Sequence, residues 1–144
     1  MSKHEHGFTL IEMLVVLMLI GMSAAIVLPS LAYSIRRKDQ IYTIEQMDHI
    51  YRALNDYYDL HTQKLPMTLN DMKGNTILGI PKDGWGNAFM YDRVSDSIFM
   101  LRSKGSDNQV QYIGPGNTNC WQADLVITAE GWWNKPQGTQ RDCP

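Results

Sequence analysis

Residues 7–28 read GFTLIEMLVVLMLIGMSAAIVL, and this stretch decides how the rest of the chain is organised. From Phe8 to Leu28 the residues are apolar or small, and the run is interrupted by one carboxylate, Glu12. A helix rises about 1.5 Å per residue, so this run spans roughly 30 Å, the thickness of a bilayer's hydrocarbon core. The sequence therefore predicts a membrane-spanning helix over residues 8–28.

The single charge in this run indicates a function. A carboxylate inside a membrane span is costly, and by default it marks a functional site. Glu12 lies near one end of the span, where the headgroups relieve part of that cost. Once buried among apolar groups, it would require a cation as its partner.

The amino-terminal pattern resembles a known family. A polar leader, Met1–His6, is followed by Gly7, by Phe-Thr-Leu-Ile-Glu and by the long apolar run. This order resembles the class III signal sequence of type IV pilins and pseudopilins. The resemblance implies that a membrane peptidase cuts after Gly7, removing residues 1–7, and methylates the new amino terminus on Phe8. The apolar segment then first anchors the subunit in the inner membrane and later forms the core of a helical filament.

The same resemblance implies partners and a role for Glu12. The partners are the prepilin peptidase and methylase, an inner-membrane assembly platform, other pseudopilins or pilins, and further copies of this chain. The freed amine of Phe8 on a neighbouring subunit would supply the cation for Glu12. An ordinary secretory signal peptide is disfavoured, because the apolar region is too long, contains Glu12, and has no convincing cleavage site after Ala24-Ala25.

Two signals disagree about the orientation in the membrane. Arg36-Arg37-Lys38 follows the apolar run, whereas the leader carries only Lys3 and two histidines, so the positive-inside rule favours a cytoplasmic carboxyl end. The specific leader motif favours a carboxyl end outside the cytoplasm, and so do the two cysteines, since a pair of cysteines is better explained there. We expect a single-pass inner-membrane protein whose globular part lies in the periplasm.

The two cysteines, Cys120 and Cys143, both lie outside the span. In an oxidising periplasm we expect them to pair, which would stabilise the fold by about 3 kcal/mol on the chain-entropy model. The alternative is two free thiols, and a metal site on two distant cysteines is disfavoured. The 13 basic and 15 acidic residues give a net charge of −2, which does not indicate a nucleic-acid partner.

Residues 29–61 have the pattern of an amphipathic helix. Apolar side chains recur at steps of three and four from Leu31 through Met47 and Leu54. Pro29 either kinks one continuous helix or begins a second one. We expect the apolar stripe to pack on a sheet. The fold class is α+β: a long amino-terminal helix, with a membrane half and an amphipathic half, packed on a small antiparallel β-sheet, as in pilins.

Residues 62–144 read as a globular β region. Strand-like segments occur at residues 88–92, 98–102 and 125–128, with the third expected to be the last. The turn Asp83-Gly84-Trp85-Gly86-Asn87, leading to a strand that ends in Tyr91, resembles the major pseudopilin of type II secretion systems. Residues 130–144 extend past that pattern as a carboxyl-terminal loop. A disulfide-closed loop there would resemble true type IV pilins instead.

Residues 103–108 (SKGSDN) resemble the calcium-binding loop of the same pseudopilins. Residue by residue, Ser103, Asp107 and Asp124 match the calcium ligands of that family. Two carboxylates with backbone carbonyls are a sparse but workable set for calcium. Asn108 replaces the usual glycine. The alternative is a polar loop shaped by its glycines, with no metal.

No catalytic motif is found, so we do not expect an enzyme. The leading hypothesis is a filament subunit, most like a major pseudopilin of a type II secretion system. The alternatives are a major or minor type IV pilin, or a binding subunit at a filament tip that uses Trp132, Trp133 and Arg141. For Trp132 and Trp133, packing locally or against a neighbouring subunit is the competing interpretation.

Overall fold

A computed structural model describes residues 8–111 and 114–143. The chain divides between Ile35 and Arg36 into two compact units. The expected leader, residues 1–7, lies outside the described residues. Within the described residues, one long helix, one short 3-10 helix and five strands form the regular structure.

The long helix, α1, runs without interruption over Leu10–Leu60 and contains Pro29. Of the two interpretations of Pro29, the structure therefore shows the continuous helix. Proline has no N–H, so the helical bond to the carbonyl of Ala25 is missing. The hydroxyl of the next residue, Ser30, donates a hydrogen bond of 2.8 Å to the carbonyl of Val27.

In the second unit, α1 ends without a glycine. Thr62 and Gln63 both adopt positive φ angles, 54° and 60°. The N–H of Gln63 donates to the carbonyl of Tyr58 at 3.0 Å, which satisfies one of the last carbonyls of the helix. A short 3-10 helix follows at Leu69–Met72.

The second unit contains one five-stranded sheet. Its strands are β1 (Met90–Arg93), β2 (Phe99–Ser103), β3 (Gly116–Cys120), β4 (Leu125–Thr128) and β5 (Gly131–Arg141). Their spatial order is β1-β2-β4-β5-β3. Neighbouring pairs are antiparallel except β3 and β5, which are parallel. The sheet expected to be antiparallel is thus mostly so, with one parallel edge.

The core lies between one face of α1 and one face of the sheet. Buried residues recur on the helix at steps of three and four, as the sequence pattern predicts, and β2 alternates buried and half-buried residues. The main contributors are Met47, Ile50 and Leu54 on the helix and Phe99, Leu101, Leu125 and Ile127 on the strands. The α+β, pilin-like fold class is confirmed.

The expectation that residues 125–128 form the last strand was wrong. An 11-residue strand, β5, occupies most of the segment expected to be a loop. Pro136 and Gly138 inside it disfavour a strand in a sequence pattern. The pairing explains why they are tolerated: the register with β4 ends at Asn134, and beyond that point β5 pairs only with β3. Pro136 lies in this part of β5, so its missing N–H does not cost a hydrogen bond to a second neighbouring strand.

A disulfide bond between Cys120 and Cys143 ties the end of β3 to the residues that follow β5, which confirms the expected pairing. Around it, the N–H of Trp121 donates to the carbonyl of Arg141 at 3.1 Å. Asp142 accepts a hydrogen bond from Arg36 on α1. The carboxyl-terminal strand is therefore anchored both to its neighbour and to the helix.

The loop containing Asp83 and Gly84 is pressed against α1. The N–H of Gly84 donates to the Thr43 hydroxyl at 2.8 Å. A Cβ atom on Gly84 would lie 2.0 Å from the carbonyl oxygen of Asp39, a backbone atom that cannot move aside. Glycine is therefore required here by close approach of two backbones.

We predict that Gly84→Ala destabilises the second unit by about 1–3 kcal/mol, because the added methyl group forces the loop away from the helix. Gly79→Ala is the matched control, since a Cβ on Gly79 meets no atom within 4 Å. Its effect should stay within about 0.5 kcal/mol. Urea unfolding of the whole chain in detergent measures both; equal stability of the two variants would contradict the close approach.

We also predict that removing the disulfide costs about 3 kcal/mol, because the unfolded chain loses a covalent constraint. The double variant Cys120→Ser, Cys143→Ser should unfold at lower urea concentration than the parent. It should not respond to a reductant, whereas the parent should shift to the position of the variant. A parent protein that unfolds identically when oxidised and when fully reduced would argue against this stabilising role.

Candidate functional site

The amino-terminal part of α1 is apolar and unburied. Every described residue from Phe8 to Ala32 is exposed. The mean hydropathy of its most apolar 18-residue window is 2.5, so the helix is long and apolar enough to cross a membrane. In a water-soluble protein, exposed apolar surface of this extent would be unusual, and it marks a surface that another phase or another molecule covers.

Glu12 lies in the first turn of this helix. Its N–H donates to the carbonyl of Thr9 at 3.2 Å, while Phe8 precedes the helix and is 74% exposed. Within the described part of the chain, the Glu12 carboxylate makes no hydrogen bond or ion pair. The amino end of a helix carries a partial positive charge, which offsets part of the cost of a carboxylate in the first turn. The predicted cleavage residue, Gly7, lies outside the described residues, and the roles of Phe8 and Glu12 stay predictions.

The three residues predicted as calcium ligands fall into two hydrogen-bond networks: Ser103 lies in one, and Asp107 and Asp124 lie in the other. Ser103 is fully buried at the end of β2, and its hydroxyl donates to Asp83 Oδ2 at 2.9 Å. Asp83 is itself buried, and its Oδ1 accepts the N–H groups of Trp85 and Asn87 at 3.1 and 2.7 Å. The Ser103 hydroxyl therefore fixes the glycine-containing loop to the sheet.

Asp124 is fully buried and interacts with an arginine. Its Oδ2 atom accepts a hydrogen bond from Arg102 Nη1 at 3.1 Å and another from the N–H of Gln111 at 3.0 Å. Burial raises the pKa of Asp124, and the Gln111 N–H and the Arg102 guanidinium oppose that shift. Its second oxygen, Oδ1, is buried and has no hydrogen-bond partner among the described residues.

Asp107 completes this network through Gln111. Its Oδ2 atom accepts a hydrogen bond from the Gln111 side-chain amide at 3.1 Å, and its Oδ1 accepts the N–H of Gln109 at 3.0 Å. Gln111 thus bridges the two carboxylates, with its side chain on Asp107 and its backbone on Asp124.

This arrangement does not fit a calcium ion well. Calcium takes six to eight oxygen ligands, with carboxylates supplying the charge. The described residues contain no group of three or more His, Cys, Asp or Glu side chains placed to hold a metal. The Ser103 hydroxyl faces Asp83, and the Asp124 carboxylate already contacts a cation. Calcium binding stays a prediction that these contacts do not favour.

The two adjacent tryptophans proposed for a binding subunit have different surroundings. Trp132 packs on the core, donates from Nε1 to Asp48 Oδ1 at 3.2 Å, and has Lys135 Nζ 5.3 Å from its ring centre. Trp133 is 41% exposed and lies where the register between β4 and β5 shifts. Arg141 is exposed at the far end of β5. For Trp132, these contacts favour local packing over ligand stacking.

Sequence reasoning missed two residues of the loop networks, Asp83 and Arg102. Asp83 was noted only as part of the turn, but it is the buried acceptor that joins the turn to Ser103. Arg102 is half-buried, with a side chain that is 21% exposed, and it contacts an acid 22 residues away. A basic residue inside a strand that otherwise reads as apolar was the only available signal.

Comparison with known proteins agrees with the geometry. Residues 2–28 match the prokaryotic N-terminal methylation motif. Curated relatives named type II secretion system core protein G are similar to this chain over most of its length. The relative from Vibrio cholerae serotype O1 is 29% identical over 73% of this chain and 85% of its own length. Those from Escherichia coli K12 and Dickeya chrysanthemi are both 28% identical, over 76% and 99% of this chain and 87% and 95% of their own lengths.

The chain thus has a short terminal motif, overall similarity to these relatives, and a fold in which one long helix packs on a mostly antiparallel sheet. Together these findings show a chain that begins with a prokaryotic N-terminal methylation motif and is similar over most of its length to type II secretion system core protein G.

Proposed function

We propose that this protein is a major pseudopilin of a type II secretion apparatus, a structural subunit that leaves the inner membrane to build a pilus-like filament. The observation that carries this proposal is the apolar helix surface from Phe8 to Ala32, whose residues are all exposed. Lipid would cover this surface before assembly, and the same helix of neighbouring subunits would cover it afterwards.

Glu12 would guide this transfer. Its carboxylate has no partner within the described chain, and it lies at the amino end of the apolar surface. In a filament the carboxylate would be buried among apolar side chains, where an unpaired charge is strongly unfavourable. The amine of Phe8 on an adjacent subunit, freed by cleavage after Gly7, would neutralise it and so fix the axial position of each subunit.

The proposed partners follow from this route. The prepilin peptidase would remove residues 1–7 and methylate Phe8, and an inner-membrane platform would pass the subunit to a filament of like chains and other pseudopilins. The second unit, residues 36–144, is the globular unit and would lie in the periplasm. The disulfide between Cys120 and Cys143 supports that side of the membrane, because disulfides persist in oxidising compartments.

A type IV pilin is the second candidate. The disulfide that closes the carboxyl-terminal strand favours it, because a carboxyl-terminal disulfide loop resembles true pilins more than pseudopilins. The neighbouring genes distinguish the two. A secretion ATPase encoded with an outer-membrane secretin supports the pseudopilin, and a retraction ATPase supports the pilin.

Replacing Glu12 by Ala should abolish filament assembly, because the subunit loses the charge that the neighbouring amine would contact. Cleavage and membrane insertion should be unchanged. Filaments sheared from cells that overproduce the protein are measured by electron microscopy and immunoblotting, and mass spectrometry of the membrane-bound subunit locates its first residue.

The matched control is Glu45→Ala, which removes an exposed acid from the amphipathic part of the same helix. This variant should assemble normally. Filaments of normal yield from Glu12→Ala would refute the charge-pairing mechanism. A working subunit that retains Met1–His6 would remove the proposed amine and refute the mechanism as well.

The proposed orientation of the chain in the membrane leads to a separate prediction. If the globular unit lies in the periplasm, the cysteines should be blocked to alkylation in wild-type cells and become reactive in a strain that lacks its periplasmic thiol oxidase. Two reporters are fused after Pro144 in separate strains. The reporter that works only after export should be active, and the reporter that works only in the cytoplasm should be inactive. Free thiols in wild-type cells together with cytoplasmic reporter activity would place the globular unit on the other side.

A further inference from the structure

The loop that resembles a calcium site already contains a positive charge. Arg102 Nη1 contacts Asp124 Oδ2 at 3.1 Å and the backbone carbonyl of Gln111 at 3.4 Å. It therefore joins a carboxylate oxygen on one side of the loop to a carbonyl oxygen on the other. Binding these two kinds of oxygen is what a calcium ion does when it orders a loop.

Residues 105–106 and 121–124 are also fixed by direct contacts that need no metal. The N–H of Ser106 donates to the carbonyl of Trp121 at 3.0 Å. Gly105, with φ of +65°, lies so close to the backbone of Gln122 that a Cβ would approach its oxygen to 2.5 Å. Asn134, almost fully buried, donates to the carbonyl of Asp124 at 2.6 Å.

Charge counting disfavours a second cation at this place. The Asp124 carboxylate is fully buried, and its Oδ1 atom is the one oxygen of the network without a hydrogen bond from the described residues. A calcium ion bound there would share one carboxylate with a guanidinium, and the two positive charges would repel each other in a poorly solvated site. Asp107 offers only one further carboxylate, and both its oxygens accept hydrogen bonds.

We propose that Arg102 replaces calcium in this chain: its guanidinium joins the loop of residues 104–111 to Asp124, the residue before β4, so the folded loop does not depend on a bound metal ion. The proposal concerns the fold of one subunit and does not rest on how subunits assemble. It implies that the secretion filament formed by this protein would be insensitive to the calcium level of its surroundings.

The test uses the whole mature chain in detergent and two readouts. Calorimetric melting reports the stability of the globular unit. Cleavage after Lys104 by a lysine-specific endoproteinase reports local opening of the loop, and this site is present in every variant. Each readout is taken with calcium, with magnesium as the control for general divalent effects, and with a chelator.

For the wild-type chain we expect the same melting temperature and the same cleavage rate in all three solutions. For Arg102→Met we expect a lower melting temperature and cleavage after Lys104 that is about tenfold faster, because the carboxylate of Asp124 loses its cation and the loop opens more often. The melting temperature of Arg102→Lys should lie between the two; this variant is left out of the cleavage assay because it adds a lysine near Lys104. The matched control is Arg52→Met, which removes an exposed arginine from α1 and should resemble the wild type.

Two results would overturn the proposal. One is a wild-type chain that calcium, but not magnesium, stabilises and protects from cleavage. The other is Arg102→Met with wild-type stability and cleavage. The calcium comparison on the wild-type chain decides the question even if Arg102→Met does not fold. Failure of the filament hypothesis would change neither readout, since both are measured on unassembled subunits.

Discussion

An apolar helix surface that the chain does not bury on itself is the constraint from which the biology of this protein follows. Burying one large apolar side chain contributes about 1.5–3 kcal/mol, and the exposed run from Phe8 to Ala32 contains many such side chains. A surface of that kind must be covered at all times, by lipid or by protein. The same residues can then serve as an anchor and as a polymer core, because each environment satisfies the same requirement.

Under the proposed function, a helix that moves between lipid and protein also needs a polar feature that distinguishes the two environments. Lipid and a packed helix bundle are similarly apolar, so the apolar run alone would favour neither. In the proposed mechanism Glu12 supplies the difference, since only protein can place a fixed cation beside it. In the globular unit the same physics operates on a smaller scale. There, Asp83 and Asp124 are buried carboxylates that accept hydrogen bonds from N–H groups, a hydroxyl and a guanidinium of the fold, and only Asp124 Oδ1 lacks a donor among the described residues.

The elements with strong local patterns could be predicted from the sequence. The period of α1, the alternation in β2 and the apolar run of β4 each depend on residues that are close in sequence. β5 was missed because Pro136 and Gly138 interrupt its pattern, and its tolerance of them depends on which neighbour it pairs with. The contacts of Ser103 and Asp124 could not be predicted either. Their partners are Asp83 and Arg102, which lie about 20 residues away and are brought together only by the fold.

The positions of the tryptophans give this protein a useful optical property. The chain has four, and all of them, Trp85, Trp121, Trp132 and Trp133, lie in the globular unit, whereas the apolar part of α1 has none. Trp121 is buried and Trp133 is partly exposed, so unfolding would change the surroundings of some indole rings much more than others. Intrinsic fluorescence therefore observes the globular unit selectively, even when the anchor is embedded in a micelle or bilayer, and no labelling is needed.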